Sequence, residues 1–284
     1  MLAMLVSFVP SQVFADGENI YTISNGYLTY MFNADTGGFA IQTAEGNPRK
    51  VLDNDIPLLY SDDKGRSNGT SFLTVRIDGK DYIFGQDYGF FNISSQLGTP
   101  AVTEDGRLMT IPWTIKGVTV TLKVALSTDE NQDITGNCGF SAEVTNNSGE
   151  AKNVSLRLML DTALGNETDA PYLVADEDIR PTLTEKEFVG SEVPGQIRGV
   201  DSLSSPKKIL YLITKGWNNG AEPNRLILGH WANLANTRYD CEPDKYCDFS
   251  NYSNKYKTPD SAAAVYWENN TLADGQSFCG EMLY

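Results

Sequence analysis

The chain has 284 residues, 40% hydrophobic and 11% aromatic, which is enough apolar surface for a packed core and too much for a disordered chain. Its 37 acidic residues against 22 basic ones leave a formal charge of −15 at pH 7. That balance excludes nucleic acid, whose counterions are displaced by lysine and arginine, and argues against an anionic membrane surface.

In chain order, residues 1–15 read as a secretory signal peptide. Leu2, Leu5, Val6, Phe8 and Val9 form an apolar stretch, Pro10, Ser11 and Gln12 end it, and Val13-Phe14-Ala15 offers a cleavage site before Asp16. The basic n-region is missing, and the competing reading is a buried first strand or helix. No later segment approaches the ~18 apolar residues of a membrane span. Residues 16–284 are then expected to form a single secreted or cell-surface domain.

Residues 27–32 are a strand, Asn33 to Gly38 a turn, and residues 39–43 the returning strand. Residues 48–69 are irregular and polar. Residues 72–77 and 80–84 flank Asp78-Gly79, a two-residue hairpin signal because both positions tolerate positive φ. The clearest pattern covers residues 108–126. Met109, Ile111, Trp113 and Ile115 alternate with polar or small residues, Lys116-Gly117 interrupts, and Val118, Val120, Leu122, Val124 and Leu126 resume. A period of two buries one face and wets the other, as in an antiparallel sheet packed on one side. Residues 138–145 and 154–160 read as another hairpin, joined by residues 146–150.

From residue 161 to 206 alternation weakens and Gly, Pro, Asp and Glu accumulate, a texture that often carries function. Residues 173–189 hold a short strand or edge segment. Residues 208–214, 226–231 and 262–267 are strands, the last two separated by a tyrosine-rich polar loop over residues 237–258. Residues 276–284 form a last strand in which the chain stops, so further C-terminal modules are expected to follow. No long run has helical spacing, and the fold class is all-β, a large antiparallel β-sandwich. Cys241 and Cys247 flank a short loop and suit a local disulfide after export, while Cys138 and Cys279 sit in strands as buried thiols. There is no CxxC for zinc.

Several segments together resemble a known family. Ile23-Ser24-Asn25-Gly26-Tyr27-Leu28-Thr29 followed by Thr36-Gly37-Gly38-Phe39 is similar to the opening strands of galactose-mutarotase-like supersandwich domains. The stretch from Thr70 to Tyr82 resembles uncharacterised modules at the front of secreted bacterial surface proteins. So do Leu156 to Gly165 with Asp169-Ala170-Pro171-Tyr172, and Val265-Tyr266-Trp267 with Leu272-Ala273-Asp274-Gly275. The resemblance implies a large antiparallel supersandwich. It carries no catalytic residue over, since the aldose epimerases rely on histidines and a carboxylate around the sugar and this chain has His230 alone.

Two constellations stand out as sites. Asp161, Asn166 and Asp169, with Glu167 beside them and Gly165 loosening the backbone, offer oxygen ligands that suit calcium; the competing reading is an Asx-rich turn capping its own backbone. Arg157 shares the strand parity of Asp161 and is expected to pair with it. A second acidic loop, Asp129, Glu130, Asn131 and Asp133, begins like an EF-hand but has Ile134 at position six and reads as a solvated loop. The other constellation is aromatic. Trp217 beside Asn218, and Tyr239, Tyr246, Tyr252 and Tyr256 in one loop, suit glycan contacts, with rings stacking on sugars and amides bonding hydroxyls. Trp113, Trp231 and Trp267 read as core residues on strands. His230 reads as structural, since no G-x-S-x-G motif accompanies it.

These readings describe a secreted or cell-surface module with a structural, adhesion or wall-association role, no evident catalysis and no cofactor other than the calcium. The alternative is a carbohydrate-binding or divergent mutarotase-like carbohydrate-active domain, with a glycan or cell-wall polymer as partner. A concave groove gathering Trp217, the tyrosines and a carboxylate would favour that alternative.

Overall fold

The computed structural model describes residues 19–44, 54–61, 69–84, 98–128, 136–165, 169–176, 180–252 and 255–284. Among them the two-residue periodicity resolves into antiparallel strands. The first six are β1 (Ile20–Ser24), β2 (Leu28–Asn33), β3 (Phe39–Thr43), β4 (Pro57–Leu59), β5 (Phe72–Ile77) and β6 (Lys80–Phe84). Then come β7 (Ala101–Val102), β8 (Leu108–Ile115), β9 (Val118–Thr128), β10 (Gly136–Asn146), β11 (Lys152–Thr162) and β12 (Tyr172–Ala175). The chain continues through β13 (Lys186–Val189), β14 (Gln196–Val200), β15 (Ile209–Ile213) and β16 (Arg225–Gly229), and after the helix α1 (Trp231–Asn236) ends in β17 (Ser261–Leu272) and β18 (Ser277–Leu283). A ten-stranded sheet runs β1-β2-β3-β4-β11-β17-β16-β13, with β5 and β6 continuing from β11; an eight-stranded sheet runs β12-β14-β15-β18-β10-β9-β8-β7.

The Asp78-Gly79 turn read from the sequence holds, and the break at Lys116-Gly117 proves to be a second turn. Asp78 and Gly79 have φ of 48° and 76°, and Lys116 and Gly117 have 51° and 75°, so each pair closes a two-residue hairpin with both centres in the left-handed region. Met109, Ile111, Trp113, Val118, Val120, Leu122 and Val124 point into the space between the sheets, where they meet Leu156, Leu158 and Leu160 of β11 and Ala263 and Val265 of β17. No helix of the described residues is long and apolar enough to cross a membrane.

Residues 138–145 and 154–160 do not form the expected hairpin. β10 pairs with β9 and β18 in one sheet, and β11 pairs with β5 and β17 in the other. The connection crosses from sheet to sheet, held by Asn146, whose buried side-chain amide donates to the carbonyls of Glu150 (2.7 Å) and Leu272 (2.9 Å). The reason lies in β11 itself. It is buried on both faces from Val154 to Thr162, so it belongs at the centre of a sheet covered on both sides.

The cover on its outer face is the second departure from the sequence reading. The strand ending in Trp231 stops at Gly229, and Trp231 begins a six-residue helix. This helix and the chain after it lie on the outside of the ten-stranded sheet. Leu234, Ala235, Tyr239 and Cys241 pack there on Phe72, Met159, Ile227, Ala264 and Tyr266 in a second apolar cluster. The four cysteines are unbridged. Cys241 is buried under α1, whereas Cys247 turns its N–H onto Asp244 O (2.9 Å) and its carbonyl toward Glu185 N (3.4 Å). Cys138 lies in the core, where burial pushes its thiol far above the usual range.

Candidate functional site

Three buried side chains bolt the α1 segment to the sheet. His230 caps the helix, its Nδ1 accepting from Ala232 N (3.1 Å), while Nε2–H donates to Thr258 O (3.0 Å) and the ring stacks on Tyr256 at 3.7 Å. Glu185 receives the N–H of His230 (3.3 Å), the amide of Asn233 (2.7 Å) and the N–H of Asp244 (2.7 Å). Arg157 does not pair with Asp161. Four residues along an extended strand separate the two by about 13 Å. Its guanidinium donates instead to the carbonyls of Leu234, Thr237 and Arg238 at the end of α1, and to Tyr266 Oη.

At the end of β11 three carboxylates converge. One carboxylate oxygen from each of Asp161, Asp169 and Asp260 lies within 4.8 Å of the others. The sheet places them. Asp161 and Thr162 close β11 opposite Ala262 and Ser261 of β17, Asp260 immediately precedes that strand, and the carbonyl of Asp169 accepts the N–H of Ser261 (3.3 Å). Asp161 is 3% and Asp260 8% exposed. Thr70 Oγ1 donates to Asp161 Oδ2, but Oδ1 of Asp161 and Oδ1 of Asp260 accept no hydrogen bond. Burial, then the charge of Asp169, pushes the carboxyl of Asp161 well above the carboxylate range. Burial alone raises Asp169, and burial followed by the charges of Asp161 and Asp169 pushes Asp260 up to about 10. Three like charges so close cannot all ionise unaided.

Asp161 and Asp169 were candidates from the sequence. Asn166 lies outside the described residues, as do residues 1–15 and the Asp129, Glu130, Asn131 and Asp133 loop. Asp260 is not legible as a member of the group in the sequence, because it is remote there and reaches the others only through the β11–β17 register. Its one sequence signal is a lone Asp directly before an apolar strand.

The aromatic candidates do not share a groove. Trp217, 36% exposed, lies against Gly139 on the outer face of the eight-stranded sheet, where a Cβ on that glycine would come within 2.3 Å of the indole. Asn218 beside it donates to Glu281 Oε1 (3.0 Å). Tyr239 is buried on the outside of the other sheet, edge-on to Tyr266. Tyr246 and Tyr252 stand in solvent, 85% and 67% exposed. Trp113 and Trp267 are core residues, as read from the sequence.

The helix cap has a pH signature. Burial is the main cause that lowers the His230 pKa, so the folded ring is neutral where a free histidine would begin to charge. Its contribution is complete above the unfolded value of about 6.5 and is lost as pH falls towards the folded value. Urea unfolding between pH 7.5 and 5.5 is expected to reveal this loss, and His230→Asn, a cap that does not titrate, is expected to remove it. Equal slopes for both proteins would refute the assignment.

The fold is all-β, with two large antiparallel sheets face to face. No protein-family model matches the chain, and no curated protein matches it. Among solved structures it is similar to a putative aldose 1-epimerase from Escherichia coli K12, at 14% identity over 94% of this chain and 98% of that one, with a TM-score of 0.49. It is also similar to a galactose mutarotase related enzyme from Lactobacillus acidophilus (9%, 93% and 96%, TM-score 0.45) and to an aldose epimerase homologue from C. elegans (13%, 94% and 98%, TM-score 0.44). The structural neighbours are thus galactose-mutarotase-like proteins, and at these identities and TM-scores they say nothing of this chain's chemistry.

Proposed function

We propose that this chain is a non-catalytic adhesion module of a secreted or cell-surface protein, which grips a carbohydrate polymer with the segment that follows α1. The observation that carries the reading is the pair Tyr246 and Tyr252, exposed rings on a backbone tied by local hydrogen bonds. Asp244 Oδ1 accepts the N–H of Tyr246 (3.1 Å), Asp248 accepts from Ser250 and Asn251, and the buried Phe249 bonds through its backbone to Leu183 and Asp260. Aromatic rings on an ordered loop bind with little loss of entropy. The ammonium groups of Lys245 and Lys257 lie 5.2 and 5.8 Å from the centroids of the Tyr246 and Tyr252 rings, which favours an anionic polymer in a chain that is otherwise acidic. Turnover has less support, because both ring nitrogens of His230 are engaged and Asp161 and Asp260 of the carboxylate cluster are buried.

Affinity electrophoresis and glycan arrays with neutral and acidic polysaccharides test the reading. Retention by an acidic polymer is expected, weakening with salt. Tyr246→Ala and Tyr252→Ala are each expected to lower affinity about tenfold, as for truncated contact residues worth about 1.4 kcal/mol, while moving stability by less than ~0.5 kcal/mol. Retention by no polysaccharide, or retention indifferent to both substitutions, would overturn it.

A further inference from the structure

We infer that Asp161, Asp169 and Asp260 are the protein ligands of a calcium ion that fastens the tyrosine-bearing segment to the ten-stranded sheet. Three observations lead there. The donors are all carboxylate oxygens, which select a hard cation and exclude the softer metals that prefer sulfur and imidazole. No ion pair joins any of the three to a lysine or arginine among the described residues, so none of these balances their charge. Asp161 is more than nine-tenths buried and keeps Oδ1 without a hydrogen bond, as the less deeply set Asp260 also does, although buried acceptors are almost always satisfied.

Coordination geometry favours calcium over magnesium. Calcium accepts irregular, flexible sets of oxygen ligands, whereas magnesium demands a nearly ideal octahedron. Three carboxylates brought together from separate pieces of chain make the irregular kind of set. Thr70, which donates to the second oxygen of Asp161, holds that carboxylate in orientation and acts as a positioning residue.

The three ligands come from separate pieces of chain: the end of β11, the loop after it, and the last residue before β17. Asp260 also donates its N–H to the carbonyl of Phe249 (3.0 Å), the buried residue between Tyr246 and Tyr252. An ion at the cluster therefore ties the far end of the α1 segment to the central strands, as Arg157 and Glu185 tie its near end.

The test is calorimetric titration of chelator-treated protein with calcium chloride at pH 7, with thermal melts alongside. One calcium per chain is expected. At a hundredfold excess over the dissociation constant the melting temperature is expected to rise by about 4–5 °C. Asp161→Asn and, at the less buried position, Asp169→Asn are expected to abolish the heat and the shift while keeping the β-sheet circular dichroism. Absence of both heat and shift in the parent chain, an equal response to magnesium, or full binding by a folded variant would overturn the inference. None of these readouts involves a glycan, so failure here leaves the tyrosine surface to be judged by its own experiment.

Discussion

Replacing Arg157 by alanine is expected to lower folding stability by about 3–5 kcal/mol. The side chain is fully buried, an unusual place for a guanidinium. Nη2 donates to Leu234 O (2.6 Å), Nη1 to Thr237 O (2.7 Å) and Arg238 O (3.2 Å), and Nε to Tyr266 Oη (3.1 Å). Those carbonyls stand at the C-terminal end of a helix of six residues, too short to persist without tertiary support. Alanine removes the guanidinium donors from Thr237 O and Arg238 O, leaves Leu234 O only the hydroxyl of Thr237 (3.0 Å), and opens a cavity between Phe72 and Tyr266, whose rings lie 5.9 and 5.7 Å from the guanidinium. Lysine cannot reproduce the fork and is expected to recover little of the loss. Denaturant unfolding measures the total, and amide exchange locates it. Protection at residues 231–239 should fall first, while the β8–β9 hairpin keeps its own. A variant within 1 kcal/mol of the parent would show that the segment is held by something else.

Asp260→Asn is expected to raise the stability of the calcium-free protein at pH 7 by about 1–3 kcal/mol, and to lower it once calcium is saturating. In the folded chain the Asp260 carboxyl sits at about 10, against 3.8 for an unperturbed side chain. The folded state thus holds a proton that the unfolded state has released. The stability this contributes is complete below about pH 3.8 and is lost as pH rises toward about 10, since the native state binds more protons throughout that window. Asparagine carries no such proton and should flatten the slope. Urea midpoints from pH 5 to 9, in chelator and in calcium, give both comparisons. The trend runs opposite to that of His230, so the two separate cleanly by variant. Identical calcium-free slopes in parent and variant would show that the cluster is not strained by its own charge.

Local chemistry was legible wherever a few neighbouring residues decide the outcome. Asp78-Gly79 could be read as a turn because Asp and Gly themselves tolerate positive φ, whereas Lys116-Gly117 showed only as a break in the alternation, since lysine has no such preference. The alternation from Met109 to Leu126 could be read because a single buried face imposes a period of two. The same rule misled at β10 and β11. Both alternate or are apolar in the right places, and nothing local says whether two successive strands share a sheet or face each other across the core. Trp231 reads as strand in the sequence because Leu226 to Leu228 before it are apolar; the helix forms because His230 caps it and Arg157 donates to its far end, and Arg157 lies remote in the chain.

By itself, then, the sequence determined an all-β chain of alternating strands with their tight turns, and marked Asp161 and Asp169 as carboxylates in an unusual stretch. Only the tertiary structure decided that Asp260 completes their cluster, that Arg157 serves a helix end instead of Asp161, and that Trp217 and Tyr239 lie on opposite sides of the sandwich. The physical reason is range. Turns and periodicity arise from sterics within a few residues, whereas a shared carboxylate site or a buried cap depends on strand register between segments far apart in the chain. That register is chosen by the burial of the whole core.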